Sequence, residues 1–394
     1  MEQKKRLSRL GTMAFFLSGI CAISSGVVVS ILQEQYGFSY EVTGMLISLM
    51  SIGNLAASFA AGVLPAKIGA RNTVLILCSG YTIGYLAMGI CGTIPLLMTA
   101  FLLLGLAKGC TLNNCTVLVG NNSPDKTKGL NIMHACYAFG ALLGPVLITA
   151  ALQVHAKAPA ILLAAFGAAV WLVFVAAKLP GRAKTTEKKP AGAEQVSEGR
   201  AFLRQKKFWL LTCLLFCQIA AEGSVTGWLV TYYKGNGLLS GALSTYTVTV
   251  MWGATLIARL MIAFVFPIRN RFRTLAVMGA GCTVLYIALL LSKSGTAALL
   301  FLFLFAFSMA GVNPTVVAGA GNMLSAASMG VMLPIAGAGA IIMPWIIGIV
   351  AERVSLQAGM RCNVIPCLGI LVFSILCSGE EHLSTQDKPV ITAK

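Results

Sequence analysis

Three ionisable side chains, Lys108, Glu222 and Arg259, lie well inside long apolar stretches of this chain. A charge at the centre of a bilayer costs about 3 kcal/mol on insertion-based scales, so each needs a partner or a task. Glu222 is the sole deep carboxylate, which makes it the candidate to carry a proton or another cation. A fixed ion pair with Lys108 is the competing reading, in which neither residue exchanges its charge. Lys108 also offers a cation to a carboxylate or phosphate group in a cavity of low dielectric. Arg259 falls near the end of its stretch, where it snorkels or pairs with backbone carbonyls.

Polar neighbours extend the set. Lys108, Thr111, Asn114 and Cys115 follow at i, i+3, i+6 and i+7, on one side of a helix, while Asn113 points about 100° away. Gln218, Glu222 and Thr226 recur at steps of four. Amides and hydroxyls both donate and accept hydrogen bonds, which suits a polyol or another hydrogen-bonding solute. Tyr137 and Trp228 add flat apolar faces with a polar edge. The candidate solute-binding residues are therefore Lys108, Thr111, Asn113, Asn114, His134, Tyr137, Gln218, Glu222, Trp228 and Asn313, with Glu222 and Lys108 as coupling residues. The same amides and hydroxyls also bond neighbouring spanning helices to one another, for under about 2 kcal/mol each. Three scattered histidines form no nucleophile–base constellation, so the set binds rather than breaks bonds. The twelve cysteines have no His or Asp at ligand spacing and act as small hydrophobes; no metal or cofactor is implied.

The elements that hold these residues are legible from composition. Charged residues are 10% of the chain and apolar residues 57%, whereas a soluble domain carries nearer a quarter charged. Twelve apolar segments of about 20 residues are each long enough to cross the hydrocarbon core as a helix. The expected fold is an all-α membrane protein of twelve transmembrane helices in two six-helix pseudo-symmetric halves. Residues 1–179 form the first half, 180–207 a basic linker, 208–379 the second half and 380–394 a tail. Met1–Arg6 leads directly into the first spanning segment, without a convincing cleavage site for a signal peptide. The net charge of +17 is topological: on this arrangement 22 of the 29 Lys/Arg fall on the linker side. The positive-inside rule then puts the linker and both termini in the cytoplasm, and nucleic-acid binding is excluded by the same loop pattern.

The halves repeat each other. Asn114 is followed 26 residues later by Gly140-Ala-Leu-Leu-Gly-Pro145, and Asn313 26 residues later by Gly339-Ala-Ile-Ile-Met-Pro344. Pro65-Ala-Lys67 recurs as Pro267-Ile-Arg269, and Gly26-Val-Val-Val-Ser30 as Gly227-Trp-Leu-Val-Thr231. Weak repetition of whole hydrophobic halves marks secondary transporters, whose solute site lies between the repeats. The expected partners are a small-molecule solute, the bilayer and a proton or sodium ion, with the chain acting as a monomer in a cell membrane.

Gly62-Val-Leu-Pro-Ala66-Lys67-Ile-Gly69-Ala-Arg71 resembles the segment 2–3 loop of the major facilitator superfamily, with Ala66 in place of that pattern's acid. Leu130-Asn-Ile-Met-His134-Ala-Cys-Tyr137 through Pro145, Ala221-Glu222 through Gly227-Trp228, Pro314-Thr315 and Pro344 through Glu352 resemble the fucose/proton-symporter-like branch of sugar transporters. The resemblance implies alternating access and a sugar-like solute. The sites that matter most depart from it. Gly26 and the Cys110-Thr111-Leu-Asn113-Asn114 stretch lack the branch's acids, and its sugar-contacting Gln and Asn positions are His134 and Tyr137. Export of amphipathic compounds and organic-anion exchange through Lys108 are the alternatives.

Overall fold

The structure is a computed structural model that describes all residues except 1, 91, 125, 180–201, 266, 267, 269, 321–325 and 387–394. The described residues are helical apart from short connections. The first half comprises α1 (Glu2–Tyr36), α2 (Tyr40–Ile68), α3 (Ala70–Ile90), α4 (Ile94–Asn122), α5 (Lys126–Leu152) and α6 (Ala158–Ala177). The second comprises α7 (Lys206–Gly235), α8 (Gly241–Phe264), α9 (Arg271–Leu291), α10 (Gly295–Met309), α11 (Val312–Gly319), α12 (Ala326–Gly337), α13 (Gly339–Arg353), α14 (Leu356–Cys362) and α15 (Val364–Gln386). Among the described residues eleven stretches are long and apolar enough to span a membrane, and the 29-residue α2 is a further long apolar helix. The tenth span is α10 with α11, the eleventh α12 with α13, the twelfth α14 with α15. The expected linker over 180–207 lies mostly outside the described residues, while residues 380–386 of the expected tail continue α15 as helix.

Pro314 accounts for the break between α10 and α11. A proline has no N–H to give the carbonyl four residues earlier, which here is Ala310, beside the break. The Arg259 Nε of α8 donates to that Ala310 carbonyl at 3.4 Å.

The repeat in the sequence is a repeat in space. A β-carbon at Gly140 of α5 would fall 2.2 Å from the Phe16 carbonyl oxygen of α1, and one at Gly339 of α13 would fall 2.4 Å from that of Phe216 in α7. Only glycine lets these backbones approach so closely. Tyr85 of α3 and its counterpart Tyr286 of α9 both donate to a backbone carbonyl, though of non-equivalent helices: Cys21 of α1 and, at 2.9 Å, Met360 of α14. The outward faces match as well. Ile76, Ile83 and Ile90 of α3 are exposed at steps of seven, as are Val277, Val284 and Leu291 of α9. Such apolar stripes are stable facing lipid and would be costly facing water.

The halves meet through α1 with α7, α2 with α13 and α5 with α8. Four hydrogen bonds cross between them among the described residues. Lys234 Nζ donates to Glu34 Oε2 at 2.6 Å, and the Tyr40 amide to Glu352 Oε2 at 2.9 Å. Ser48 Oγ donates to the Ile341 carbonyl at 2.7 Å, and Thr249 Oγ1 to that of Leu142 at 2.9 Å. All four lie toward the end of the bundle where α1 turns into α2 and α7 into α8, so the halves are sealed at the end away from the C-terminal end of α6 and the start of α7.

Candidate functional site

Glu222 sits midway along α7, half-buried, one turn from the buried Gln218. Gln218 Nε2 donates to Glu222 Oε2, and Asn313 Nδ2 of α11 donates to Gln218 Oε1 at 3.2 Å. The step-of-four spacing makes the first bond, because it stacks the two side chains on one face of α7. The second depends on α11 lying against α7, which no local pattern encodes. The row Asn313–Gln218–Glu222 orients a carboxylate one turn before Thr226, whose carbonyl oxygen lies 2.5 Å from where a β-carbon at Gly26 of α1, in the other half, would fall. Glu222 therefore stands where the halves meet. The fixed Lys108–Glu222 ion pair considered from sequence is not formed: the two make no direct contact, and the ion pair crossing the halves is Lys234–Glu34.

The α4 row divides. Lys108, Asn113 and Asn114 are half-buried, but Thr111 and Cys115 are fully buried. Thr111 Oγ1 lies 3.3 Å from Cys78 Sγ of α3, so it faces the interior of its own half rather than the space between halves. The helical face is wider than the cavity it borders, and α3 takes part of it. Asn114 Nδ2 donates to its own helix at the Cys110 carbonyl, 2.8 Å away. Trp228 also departs from the expected placement. It is completely buried, donates its Nε1 to the Pro344 carbonyl of α13 at 3.1 Å, and packs 6.2 Å from the Tyr40 ring of α2. It belongs to the seal and presents no open face to a solute.

On α5, Tyr137 packs 4.6 Å from the Phe15 ring and 6.0 Å from that of Trp252 on α8; His134, exposed, meets Phe15 edge-on at 5.4 Å. Trp252 is the residue that sequence reasoning missed, while Arg259 enters from sequence only as a structural cation. They lie seven positions apart on one face of α8, with Val248, and that face turns toward α5. Arg259 takes a backbone carbonyl, as expected of it. The i, i+4, i+11 spacing of Val248, Trp252 and Arg259 was the available signal; it gains meaning only once α8 is known to face α5. Among the described residues no cluster of three metal-ligating side chains occurs.

The family described as the Major Facilitator Superfamily matches this chain over residues 11–344. The chain is similar to a gallate transporter of Pseudomonas putida, 25% identical over 304 residues that make up 68% of each chain. Among solved structures it resembles a mutant of the nucleoside transporter NupG, with a TM-score of 0.75, 15% identity, and 96% of this chain and 99% of that one covered. It also resembles a bacterial homolog of the human lysosomal transporter Spinster in an inward-facing and occupied conformation, with a TM-score of 0.69, 13% identity, and coverage of 95% and 96%. At such identities these structures speak for the fold alone.

Proposed function

This chain belongs to the major facilitator superfamily, and on that premise we propose that it moves a small polar solute across a cell membrane by alternating access, coupled to a proton or sodium ion through Glu222. It is a multi-pass membrane transporter, not an enzyme, and its family binds small-molecule solutes within the membrane. The observation that carries the finer reading is the row Asn313–Gln218–Glu222, held on α7 and α11 beside the contact of α7 with α1 between the halves. A carboxylate held by a neutral amide instead of a fixed cation is free to exchange its charge. The amides beside it recognise a hydrogen-bonding solute. With the basic linker on the cytoplasmic side, the sealed end is the outer one and the site opens inward.

The sugar-like branch is the weaker part of the resemblance. Its proton-linked members carry an acid at the position of Gly26, yet here a β-carbon at that glycine would fall 2.5 Å from the Thr226 carbonyl oxygen. No acid fits there in this conformation, which leaves Glu222 as the carboxylate for coupling. The test begins with a thermal-shift screen of the purified protein against sugars, polyols, carboxylates and hydrophobic cations, since a ligand of the folded state raises its stability. Glu222→Gln keeps the shape of the side chain and removes its charge exchange. In proteoliposomes loaded with the solute so found, counterflow should survive while accumulation falls to simple equilibration. Full accumulation by Glu222→Gln would eliminate the coupling role.

A further inference from the structure

We propose that the chain binds an anionic phospholipid in a groove between α1 and α5, with the lipid phosphate on Arg9 and an acyl chain along Met13, Phe16 and Ile132. The groove measures about 810 Å³ and lies at the end of the bundle where α1 begins. That volume falls within the range of roughly 300–1,000 Å³ typical of pockets that hold small molecules. The groove is separate from the Asn313–Gln218–Glu222 row and does not depend on which solute is carried.

At the level of Gly140 the backbones of α1 and α5 touch, since a β-carbon there would fall 2.2 Å from the Phe16 carbonyl oxygen. Nearer the start of α1 the two helices part and leave the groove. The junction of α4 and α5 closes it at that end. Ser8 Oγ of α1 lies 2.8 Å from Ser123 Oγ, just past α4, and a β-carbon at Gly129 of α5 would fall 2.2 Å from the same Ser123 oxygen.

The groove opens toward lipid and away from the other half. Ile132, Phe139 and Val146 are exposed at steps of seven on α5, the pattern seen on α3 and α9. The opposite side of α5 meets α8, where Tyr137 packs against Trp252 and the Leu142 carbonyl accepts from Thr249. Met13 and Ile132 form the walls and are 53% and 49% exposed, and Phe16 stacks on Phe139 at 6.0 Å at the apolar end. Depth in the bilayer follows from the sequence. Leu10 to Leu32 carry no charge and make about 35 Å of helix, slightly more than the hydrocarbon core. Arg9 therefore stands at the level of the headgroups, with Met13 and Phe16 one and two turns deeper among the acyl chains.

The polar end of the groove is built for an anion. Arg9 is exposed and makes no hydrogen bond or ion pair among the described residues, which leaves five N–H donors for a ligand. No carboxylate lines the groove among the described residues. Thr12 spends its proton on the Ser8 carbonyl at 3.0 Å, but the Ser8–Ser123 pair shares one proton and keeps the other to donate. A guanidinium fork binds phosphate oxygens through two parallel bonds. A choline or ethanolamine headgroup would add a cation with no acid in the groove to meet it, whereas an anionic headgroup adds none. Lys4, Lys5 and Arg6 precede Arg9, and a basic cluster of this kind at the membrane surface attracts anionic lipid.

The experiment is native mass spectrometry of the full-length protein in detergent, titrated with phosphatidylglycerol or with phosphatidylcholine of the same acyl chains. One phosphatidylglycerol should be retained in preference, and Arg9→Gln should weaken its retention by roughly tenfold, as for a lost charge-assisted hydrogen bond, with Arg9→Lys keeping part of it. Ile132→Trp fills the groove and should weaken both lipids. Arg9 and Ile132 are exposed, so neither change disturbs the core. Lys4→Gln removes the same charge outside the groove and should leave retention close to that of the unmodified protein. Glycerol phosphate, a headgroup without chains, should not displace the lipid. Equal retention of the two lipids would overturn the proposal, as would unchanged retention in Arg9→Gln or in Ile132→Trp. An equal loss in Lys4→Gln would overturn it by showing general attraction to the basic end, and displacement by glycerol phosphate by showing a site for soluble phosphates.

Discussion

Gly44→Ala adds one methyl group where α2 meets α13. The new β-carbon would lie 2.6 Å from the Pro344 carbonyl oxygen, 3.1 Å from the Gly348 α-carbon and 3.3 Å from the Trp228 ring. The first distance is about 0.8 Å short of ordinary van der Waals contact, and the atom it strikes is backbone, which cannot rotate away. Overpacking of this kind costs about 1–3 kcal/mol. The cost falls on the sealed conformation alone, because once the halves separate at this end the methyl group meets nothing across the interface. The equilibrium should therefore shift toward the alternate state by about 5- to 150-fold. Hydrogen–deuterium exchange read by mass spectrometry reports this directly: peptides covering residues 40–48 and 341–354 should exchange faster, and solute counterflow should slow. Gly241→Ala is the control, since a β-carbon there meets nothing within 4 Å and should change stability by under about 0.5 kcal/mol. Exchange and counterflow in Gly44→Ala that match the control would refute the reasoning that this glycine seals the halves.

Trp228→Phe removes the indole donor to Pro344 while keeping most of the buried ring. It should lower stability by about 1 kcal/mol in thermal unfolding and leave solute affinity within about twofold. A collapse of affinity at unchanged stability would instead return Trp228 to the binding site. Reporter fusions inserted in residues 180–207 and at the C-terminus should signal the cytoplasmic side, as the Lys/Arg distribution requires; an external signal from the linker would reverse the orientation.

Hydrophobicity and repetition, which are local or additive along the chain, carried the fold. Apolar runs long enough to span a bilayer have few alternatives to helix, because lipid offers no partner to a free N–H or C=O. The recurrence of Gly140 and Pro145 as Gly339 and Pro344 foretold two similar bundles, and the packing of α5 on α1 and of α13 on α7 follows from it. The spacing of Gln218 and Glu222 likewise put them on one face, and their hydrogen bond follows because residues four apart on a helix touch whatever surrounds them.

What the sequence left undecided depends on which neighbour each helical face meets. Thr111 shares a side of α4 with Lys108, yet α3 covers it while Lys108 stays half-buried. Trp228 reads as a flat surface for a ring until α13 supplies the carbonyl that ties it into the seal. Arg259 reads as a helix-end cation that takes a carbonyl, but only the packing of α8 against α10 decides that the carbonyl is that of Ala310. Periodicity tells which residues share a face, but not whether that face borders lipid, another helix or the space between the halves. Contacts between segments far apart in sequence assign the faces, and for this protein they decided which polar residues bind the halves together and which bond within one half.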